Sequence, residues 1–467
     1  QFSNPTGNTN LKDNNAAAGG RFTSGSLAIT SVLGVIILVA LALRLFGIDW
    51  DQRGLFHPDE RAILASVSDI QIPSIDEVGD LLDPDKSPLN PGWFAYGSFP
   101  IYLLKTVQVV ASPFTDWDIW QLRFPGRVIS ALADTSTVAV VFFIGLLWFG
   151  RRVAILASAL TGLAVLHIQQ AHFFVVDPLL TLFVAATVFF LVRIAHTAAR
   201  KDSAFAGLTL GLAMATKISV APIGIAVIAA YFIYAISSPG DVLKTTTSVN
   251  PLRRGRAIVG LIFTITIAVT VFMVAQPYAI IDWNTFFASI SEQSEMVRGI
   301  RDYPYTRQYI DTTPYWYHIK QLATFGLGPV TGILAWLGLL VAAWFTAVRR
   351  SKTDLVIMAW VLPYLLLTGW FDVKFLRYLL PVTPFLILYG ARLVFWVGDS
   401  VQRLMPLMKH TGSALAVLAL LAAMHYALAF MSIYSEPHPA QDVSAFLKNS
   451  ARPGSIILKE HWEEGIP

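Results

Sequence analysis

The chain has 467 residues, of which 55% are hydrophobic and only 14% are charged, and it contains no cysteine. This apolar share exceeds that of soluble domains, and the apolar residues come in blocks of about 20, the length that crosses a hydrocarbon core. The lack of cysteine excludes disulfide bonds and thiolate metal sites. The net charge of +4 is small for this length and comes from Lys and Arg between the apolar blocks, so it does not indicate nucleic-acid binding.

The first 24 residues are rich in Asn, Gly and Ser and lack the apolar core of a signal peptide, which predicts a disordered cytoplasmic tail over 1–24. Apolar runs then follow along the chain. They cover 25–47, 127–149, 153–174, 177–196, 203–219, 221–237, 257–276, 327–347, 355–371, 375–397 and 413–433. We therefore predict an all-α polytopic membrane protein with about eleven transmembrane helices.

Clusters of basic residues follow every second run, from Arg151 and Arg152 onward to Arg349 and Arg350. The positive-inside rule makes these connections cytoplasmic, which predicts a multi-pass protein of the plasma membrane with a cytoplasmic N-terminus and an extracytoplasmic C-terminus. The predicted domains are a transmembrane domain over 25–433 and an external C-terminal segment over 434–467 that can be read as the start of a small domain. Two large external loops interrupt the transmembrane domain, at 48–124 and 277–325.

The stretch "FPIYLLKTVQVVASPF" (99–114) is apolar but short. As a helix it would reach about 24 Å, less than the roughly 30 Å of the hydrocarbon core. Counting it as a span would also reverse the charge rule for every later loop. We therefore predict that the long first external loop contains interfacial helices, including this one.

The first external loop opens with "HPDE", in which Asp59 and Glu60 follow His57. These acids can be read simply as favourable charges at the start of the helix "ERAILASV". They can also be read as a carboxylate base at the membrane surface, which a reaction on a lipid-borne substrate would need.

Charged residues also lie at the outer ends of later spans. Asp177, in "HFFVVDPLLTLF", can be a helix cap or can face a cavity. Lys217, in "LAMATKISVAPI", can extend its ammonium to the interface or bind a phosphate. In "FDVKFLRYLLPVTP", Lys374 and Arg377 also suit phosphate, although they and Tyr378 can equally anchor the helix at the interface.

Two further patterns have simpler interpretations. "GLTLG" (207–211) predicts close helix packing, and His167 and His172, which do not share a helical face, predict interfacial histidines. No Walker sequence, HExxH or Gly-x-Ser-x-Gly occurs, so the sequence gives no nucleotide loop, zinc protease motif or nucleophile elbow.

Several of these stretches together resemble the GT-C superfamily of membrane glycosyltransferases, which use polyprenyl-phosphate sugars. The similarity is greatest to the protein O-mannosyltransferase and aminoarabinose-transferase branch. The stretches are "HPDE" (57–60), "YGSFPIYLL" (96–104), "RFPGRVISAL" (123–132), "VVDPLLTLF" (175–183), "GLAMATKIS" (211–219) and "RYLLPVTPF" (377–385). They run in the family's order. Where some relatives carry a lysine before the proline pair, this chain has Ser98 and Phe99, so the stretch does not identify the donor sugar.

The resemblance implies roles for individual residues. It implies Asp59 as the catalytic base, with Glu60 and Asp177 as supporting carboxylates. It implies that Lys217 and Arg377 contact the donor phosphate. Lys374 is a further candidate for that contact, and His57, Tyr96 and Tyr378 are expected beside the substrate. No cofactor is required, although a divalent metal could lie beside His57, Asp59 and Asp177.

The expected reaction is inverting transfer of a sugar, of hexosyl or mannosyl type, from a polyprenyl phosphate to an extracytoplasmic acceptor. The acceptor could be a protein hydroxyl, a glycolipid or a glycan, and protein partners are not indicated. Two alternatives stay open, a lipid or solute transporter and a non-catalytic subunit with the same fold. A lipid-filled groove that ends at Asp59 would favour the transferase. A cavity that crosses the membrane would favour the transporter, and a groove plugged by side chains would favour the non-catalytic subunit.

Overall fold

The structure is a computed structural model that describes residues 24–52, 54–237, 250–452 and 454–458. These residues form helices and turns without any β-strand, which confirms the all-α prediction. The predicted tail, 1–24, lies outside the described residues except for Ser24, which begins the first helix, and so does the end of the C-terminal segment from 459.

The α-helices are α1 (Ser24–Leu45), α2 (Pro58–Asp69), α3 (Phe99–Ala111), α4 (Ile119–Trp148), α5 (Arg151–Gly162), α6 (Val165–Ala171), α7 (Val176–Thr197), α8 (Arg200–Thr216), α9 (Ile223–Ile236), α10 (Pro251–Ala275), α11 (Tyr278–Ile281), α12 (Trp283–Val297), α13 (Trp316–Gln321), α14 (Pro329–Arg349), α15 (Lys352–Trp370), α16 (Thr383–Leu404), α17 (Thr411–Met431) and α18 (Pro439–Ser450). Short 3-10 helices cover Ile75–Leu82, Pro304–Tyr309 and Leu376–Val382.

Within the described residues, nine helical segments are long and apolar enough to cross a membrane. They contain α1, α4, α7, α9, α10, α14, α15, α16 and α17. The count rises to 10 if α5 and α6, which meet at an angle of 51°, form one broken span. The chain is therefore a multi-pass membrane protein, as predicted.

The predicted count of eleven spans is not confirmed, because α8 is not among the nine or ten segments and the count of nine also leaves out the bent pair α5 and α6. Helix α8 has only 17 residues and begins with the charged triplet Arg200, Lys201 and Asp202. Lys217, which follows α8, contacts Asp177 at the start of α7. Because the two helices are linked at the other end by Ala198 and Ala199, α8 runs back along α7 to the level where α7 began.

The close packing predicted from "GLTLG" is confirmed where α8 meets α10. A Cβ atom on Gly207 would lie 2.7 Å from the carbonyl oxygen of Thr264, and one on Gly211 would lie 2.6 Å from that of Ala268. Small residues at this spacing let two helix backbones approach closely, which is how helices associate in an apolar solvent.

Helix α2 is held against the bundle by an apolar cluster and by buried charges. Ile63, Leu64 and Val67 pack into a core with Leu104 of α3 and Phe174. Arg127 of α4 binds the loop before α2 through Asp51, with contacts of 3.1 and 2.6 Å, and through the carbonyl of Ile48 at 2.7 Å. These contacts fix where the first turn of α2 lies.

A second buried network links α1, α4 and the start of α16. Asp134 accepts hydrogen bonds from Arg44 and is bonded to the Nδ1 of His167, each over 2.6 Å, and the His167 Nε2 is bonded to Thr383 over 2.6 Å. His172 is bonded to the carbonyl of Phe46 over 2.9 Å. Both histidines are buried within the protein, and their place relative to the membrane interface stays a prediction.

Candidate active site

The six stretches that carried the resemblance converge on one end of the bundle, where a cavity of about 920 Å³ lies. Its walls come from α2, the loop before α3, the last turn of α8, α12, the last turns of α15 and the segment before α16. All of these elements meet at the helix ends that the charge rule assigns to the outside. The predicted residues in its lining are His57, Asp59, Tyr96, Lys217, Arg377 and Tyr378.

Asp59 and Arg377 form an ion pair in this cavity. The Asp59 Oδ2 lies 2.9 Å from an Nη atom of Arg377, and the two side chains are 18% and 17% exposed. Burial alone would raise the pKa of Asp59, but the charges of Arg377, His57 and Lys217 outweigh it and hold the pKa below its ordinary value of 3.8. Asp59 is therefore a carboxylate at neutral pH.

Lys217 lies beside this pair between two aromatic rings. Its ammonium is 5.3 Å from the centre of the Tyr96 ring and 5.1 Å from that of Tyr378, distances at which a ring face attracts a cation. It also donates a hydrogen bond of 3.0 Å to the Oδ1 of Asp177. Asp177 lies outside the cavity lining and is 1% exposed, so it reaches the cavity only through Lys217.

Gly97 brings the loop before α3 against the end of α8. Its N–H donates a hydrogen bond of 3.0 Å to the carbonyl of Thr216, and a Cβ atom at this position would lie only 1.9 Å from the carbonyl oxygen of Ala215. Only glycine permits this approach. The contact sets Tyr96, which precedes Gly97, over Lys217, which follows Thr216.

Glu60 points away from the cavity although it follows Asp59 in sequence. Its carboxylate accepts two hydrogen bonds from Arg127, of 2.8 and 2.7 Å, and a third of 2.8 Å from the backbone N–H of Phe174. Both ends of this fork are fully buried. Glu60 was expected to be a supporting carboxylate of the site, but its hydrogen bonds are made inside the protein and not toward the cavity.

His57 lines the cavity, whereas Lys374 does not belong to the described residues that line it. Burial lowers the pKa of His57 below its ordinary 6.5, so the ring is neutral at pH 7. Lys374 is buried and donates a hydrogen bond of 2.8 Å to the carbonyl of Asp372. It thus supports the segment that carries Arg377 without facing the cavity.

The opposite wall of the cavity contains residues that the sequence did not single out individually. Ser289 and Gln293 lie on one face of α12, and the Tyr303 and Tyr305 rings stack beside them with centres 5.4 Å apart. The tyrosines belong to an aromatic stretch of the segment 277–325, which the sequence predicted to be the second large external loop. Glu292 also lines this wall, and the Tyr303 hydroxyl donates to its carboxylate.

Among the residues that the structure describes, no three His, Asp or Glu side chains are close enough together to hold a metal ion. The cations that line the cavity are Arg377, Lys217 and the exposed Arg298, and of these Arg377 and Lys217 lie beside Asp59. The divalent metal considered from the sequence stays a prediction.

The chain was compared with protein families, curated proteins and solved structures. Residues 114–268, roughly a third of the chain, match the family described as dolichyl-phosphate-mannose-protein mannosyltransferase. No curated protein sequence matches the chain.

Solved structures of two proteins are similar over most of the chain. The oligosaccharyltransferase AglB from Archaeoglobus fulgidus, in complex with an inhibitory peptide and a dolichol-phosphate, is 15% identical with a TM-score of 0.56, and the match covers 92% of this chain and 59% of AglB. ArnT from Cupriavidus metallidurans is 17% identical with a TM-score of 0.56, and the match covers 93% of this chain and 82% of ArnT. A second ArnT structure, bound to undecaprenyl phosphate, is 18% identical with a TM-score of 0.52, covering 94% and 82%. The chain spans about three fifths of the archaeal oligosaccharyltransferase that it matches.

The fold is that of a multi-pass membrane glycosyltransferase. More specifically it is the GT-C fold, which confirms the resemblance seen in the sequence.

Proposed function

We propose that this protein transfers a sugar from a polyprenyl-phosphate donor to an acceptor outside the cytoplasm. The observation that carries the proposal is the cavity at one end of the bundle, in which the carboxylate of Asp59 lies 2.9 Å from Arg377 and close to Lys217. A base and two cations are what an inverting displacement at a sugar phosphate requires. The family match and the two structures named with polyprenyl phosphates, dolichol-phosphate in AglB and undecaprenyl phosphate in ArnT, support the donor class.

In this proposal Asp59 takes the proton of the acceptor hydroxyl, which then attacks the anomeric carbon of the sugar. Arg377 and Lys217 stabilise the phosphate that departs. Glu60 and Asp177 act as positioning residues, since Glu60 fixes α2 through Arg127 and Asp177 holds Lys217. His57, Tyr96 and Tyr378 shape the cavity around the base.

We place the cavity on the extracytoplasmic side, with the N-terminus in the cytoplasm and the segment from 434 outside. The charge rule supports this orientation, because the basic connections lie at the opposite helix ends. Donors on a lipid phosphate can be used at that face. The transmembrane domain, 25–433, then contains the whole site.

The wall formed by α12 and the second external loop is the proposed acceptor side. Tyr303 and Tyr305 offer stacked rings to a sugar or a peptide, and Ser289 and Gln293 offer hydrogen-bonding groups. The acceptor is a protein hydroxyl, a glycolipid or a glycan. A hexosyl donor, mannosyl in the simplest case, agrees with the family that matches residues 114–268.

The transporter alternative receives less support, because the residues that line the cavity gather at one end of the bundle, where a transport path would cross the midplane. A purely structural subunit is also less favoured, since a volume of about 920 Å³ is open beside Asp59.

The test incubates the purified protein with radiolabelled polyprenyl-phosphate sugars and, separately, with nucleotide sugars, each with a membrane extract as acceptor. We expect transfer from the lipid donors and none from the nucleotide donors. Transfer from nucleotide sugars alone would refute the donor class. Transfer from neither would favour the structural subunit.

A further inference from the structure

Two neighbouring acids, Asp59 and Glu60, each meet an arginine, but the two ion pairs differ in kind. Glu60 and Arg127 form a closed fork with two hydrogen bonds, and neither side chain is exposed. Asp59 and Arg377 make a single contact of 2.9 Å on the cavity wall, with both side chains partly exposed. The first pair is a fixed part of the fold, whereas the second lies where a substrate can reach it.

The second pair also leaves hydrogen-bonding capacity unused. Among the described residues, the Arg377 Nε and the Asp59 Oδ2 are buried atoms with no hydrogen-bond partner, so their contact is one of charge alone. The guanidinium group lies 4.3 Å from the centre of the Phe375 ring, which holds it in place. Arg377 is thus positioned to bind an anion with two parallel hydrogen bonds, which its contact with Asp59 does not provide.

The other cation beside Asp59, Lys217, already has a buried carboxylate as a partner outside the cavity. Lys217 is bonded to Asp177, which is 1% exposed and lies outside the cavity lining. Glu292 does line the cavity, but its carboxylate accepts a hydrogen bond from Tyr303 and lies 2.8 Å from Arg301. An entering phosphate can therefore replace the carboxylate of Asp59 as the partner of Arg377.

Building on the proposed function, we infer that Arg377 changes partner during transfer, from the Asp59 carboxylate to the leaving phosphate. A bond forms between the acceptor oxygen and the anomeric carbon, and the bond from that carbon to the phosphate oxygen breaks with its electron pair on the phosphate. The acceptor proton passes to Asp59. Asp59 thereby loses its charge and its hold on Arg377 at the step in which the phosphate gains a charge.

This exchange keeps the charge of the cavity constant during the reaction. The donor is a phosphodiester with one negative charge, and the product lipid phosphate carries between one and two at neutral pH. The Arg377 guanidinium, once released by Asp59, can pair with the new charge on the phosphate, and no other residue has to move into the cavity. In the resting protein, Asp59 therefore competes with the product lipid phosphate for Arg377, which lowers the affinity for that product.

The test measures the Kd of undecaprenyl phosphate and of dolichyl phosphate for the purified full chain in detergent. We expect Asp59→Asn to bind the better of the two lipids about tenfold more tightly than the wild type, because the negative charge that competes with the phosphate for Arg377 is removed. Adding Arg377→Gln to Asp59→Asn should abolish the gain. Asp59→Ser serves as a second variant, and an unchanged unfolding temperature without lipid verifies the fold of each.

Glu292→Gln is the matched control, because it removes one negative charge from the same cavity without touching Arg377. Its Kd should stay within about twofold of the wild type. Equal tightening in both variants, or no tightening in Asp59→Asn and Asp59→Ser, would overturn the partner exchange and leave the donor class standing. Failure of the wild type and of every variant to bind either lipid would overturn the proposed function itself.

Discussion

Replacing Glu60 by Gln tests whether this acid is a structural anchor, and Asp59→Asn beside it is the matched comparison. Glu60 accepts three hydrogen bonds, two from Arg127 and one from the N–H of Phe174, and is fully buried. The amide of Gln keeps one acceptor oxygen but turns an NH₂ group toward an Arg127 nitrogen that also donates. Arg127 retains its two contacts with Asp51.

We therefore expect Glu60→Gln to lower the free energy of unfolding by about 3 kcal/mol, the lower end of what breaking a buried ion pair costs. Asp59 is partly exposed and meets Arg377 at a single contact without hydrogen-bond geometry, so Asp59→Asn should cost about 1 kcal/mol or less. Because the chain has no cysteine for a thiol dye, unfolding in detergent is followed by the fluorescence of its 13 Trp residues. An unfolding midpoint for Glu60→Gln equal to that of Asp59→Asn would refute the reasoning.

Three further results are expected. Gly97→Ala puts a Cβ atom 1.9 Å from a carbonyl oxygen at the end of α8 and should abolish sugar transfer. Gly79→Ala is the control, because a Cβ atom there has nothing within 4 Å, and it should leave transfer unchanged. Equal transfer rates for the two variants would contradict the close approach at Gly97. Because the pKa of Asp59 lies below 3.8, its carboxylate is lost only as the pH falls through that lowered value, so kcat/KM should keep its neutral-pH level down to about pH 5. An acid limb above pH 5 but below 6.5 would instead indicate His57, whose pKa burial lowers from that ordinary value. Arg151→Cys in intact cells should react with a membrane-impermeant maleimide only after permeabilisation. Labelling of intact cells from outside would contradict the predicted topology.

Hydropathy and charge predicted most of the bundle, because long apolar helices in lipid must satisfy their backbone internally and basic loops stay in the cytoplasm. They did not predict the break between α5 and α6, because Gly162, which ends α5, lies within a continuous apolar run and one glycine there is a weak signal for a break. They also counted α8 as a span, which its 17 residues and charged first turn do not confirm.

The site was predictable where a residue type and its place at a helix end coincide, as for Asp59, Lys217 and Arg377. It was not predictable which of two adjacent acids faces the cavity, because that depends on Arg127, a residue 67 positions from Glu60. The network of Arg44, Asp134 and His167 was missed for the same reason. Each partner is remote in sequence, and a charge inside an apolar helix does not reveal what it pairs with.

The most direct test of the central claim measures sugar transfer from a radiolabelled polyprenyl-phosphate donor by the wild type, Asp59→Asn and Glu292→Gln. Loss of a general base lowers the rate by roughly 10²–10⁴-fold, so Asp59→Asn should lose nearly all transfer while its unfolding midpoint stays close to that of the wild type. Glu292→Gln should retain the larger part of the rate. Transfer by Asp59→Asn at the wild-type rate would contradict the account, because the base would then have to be another residue.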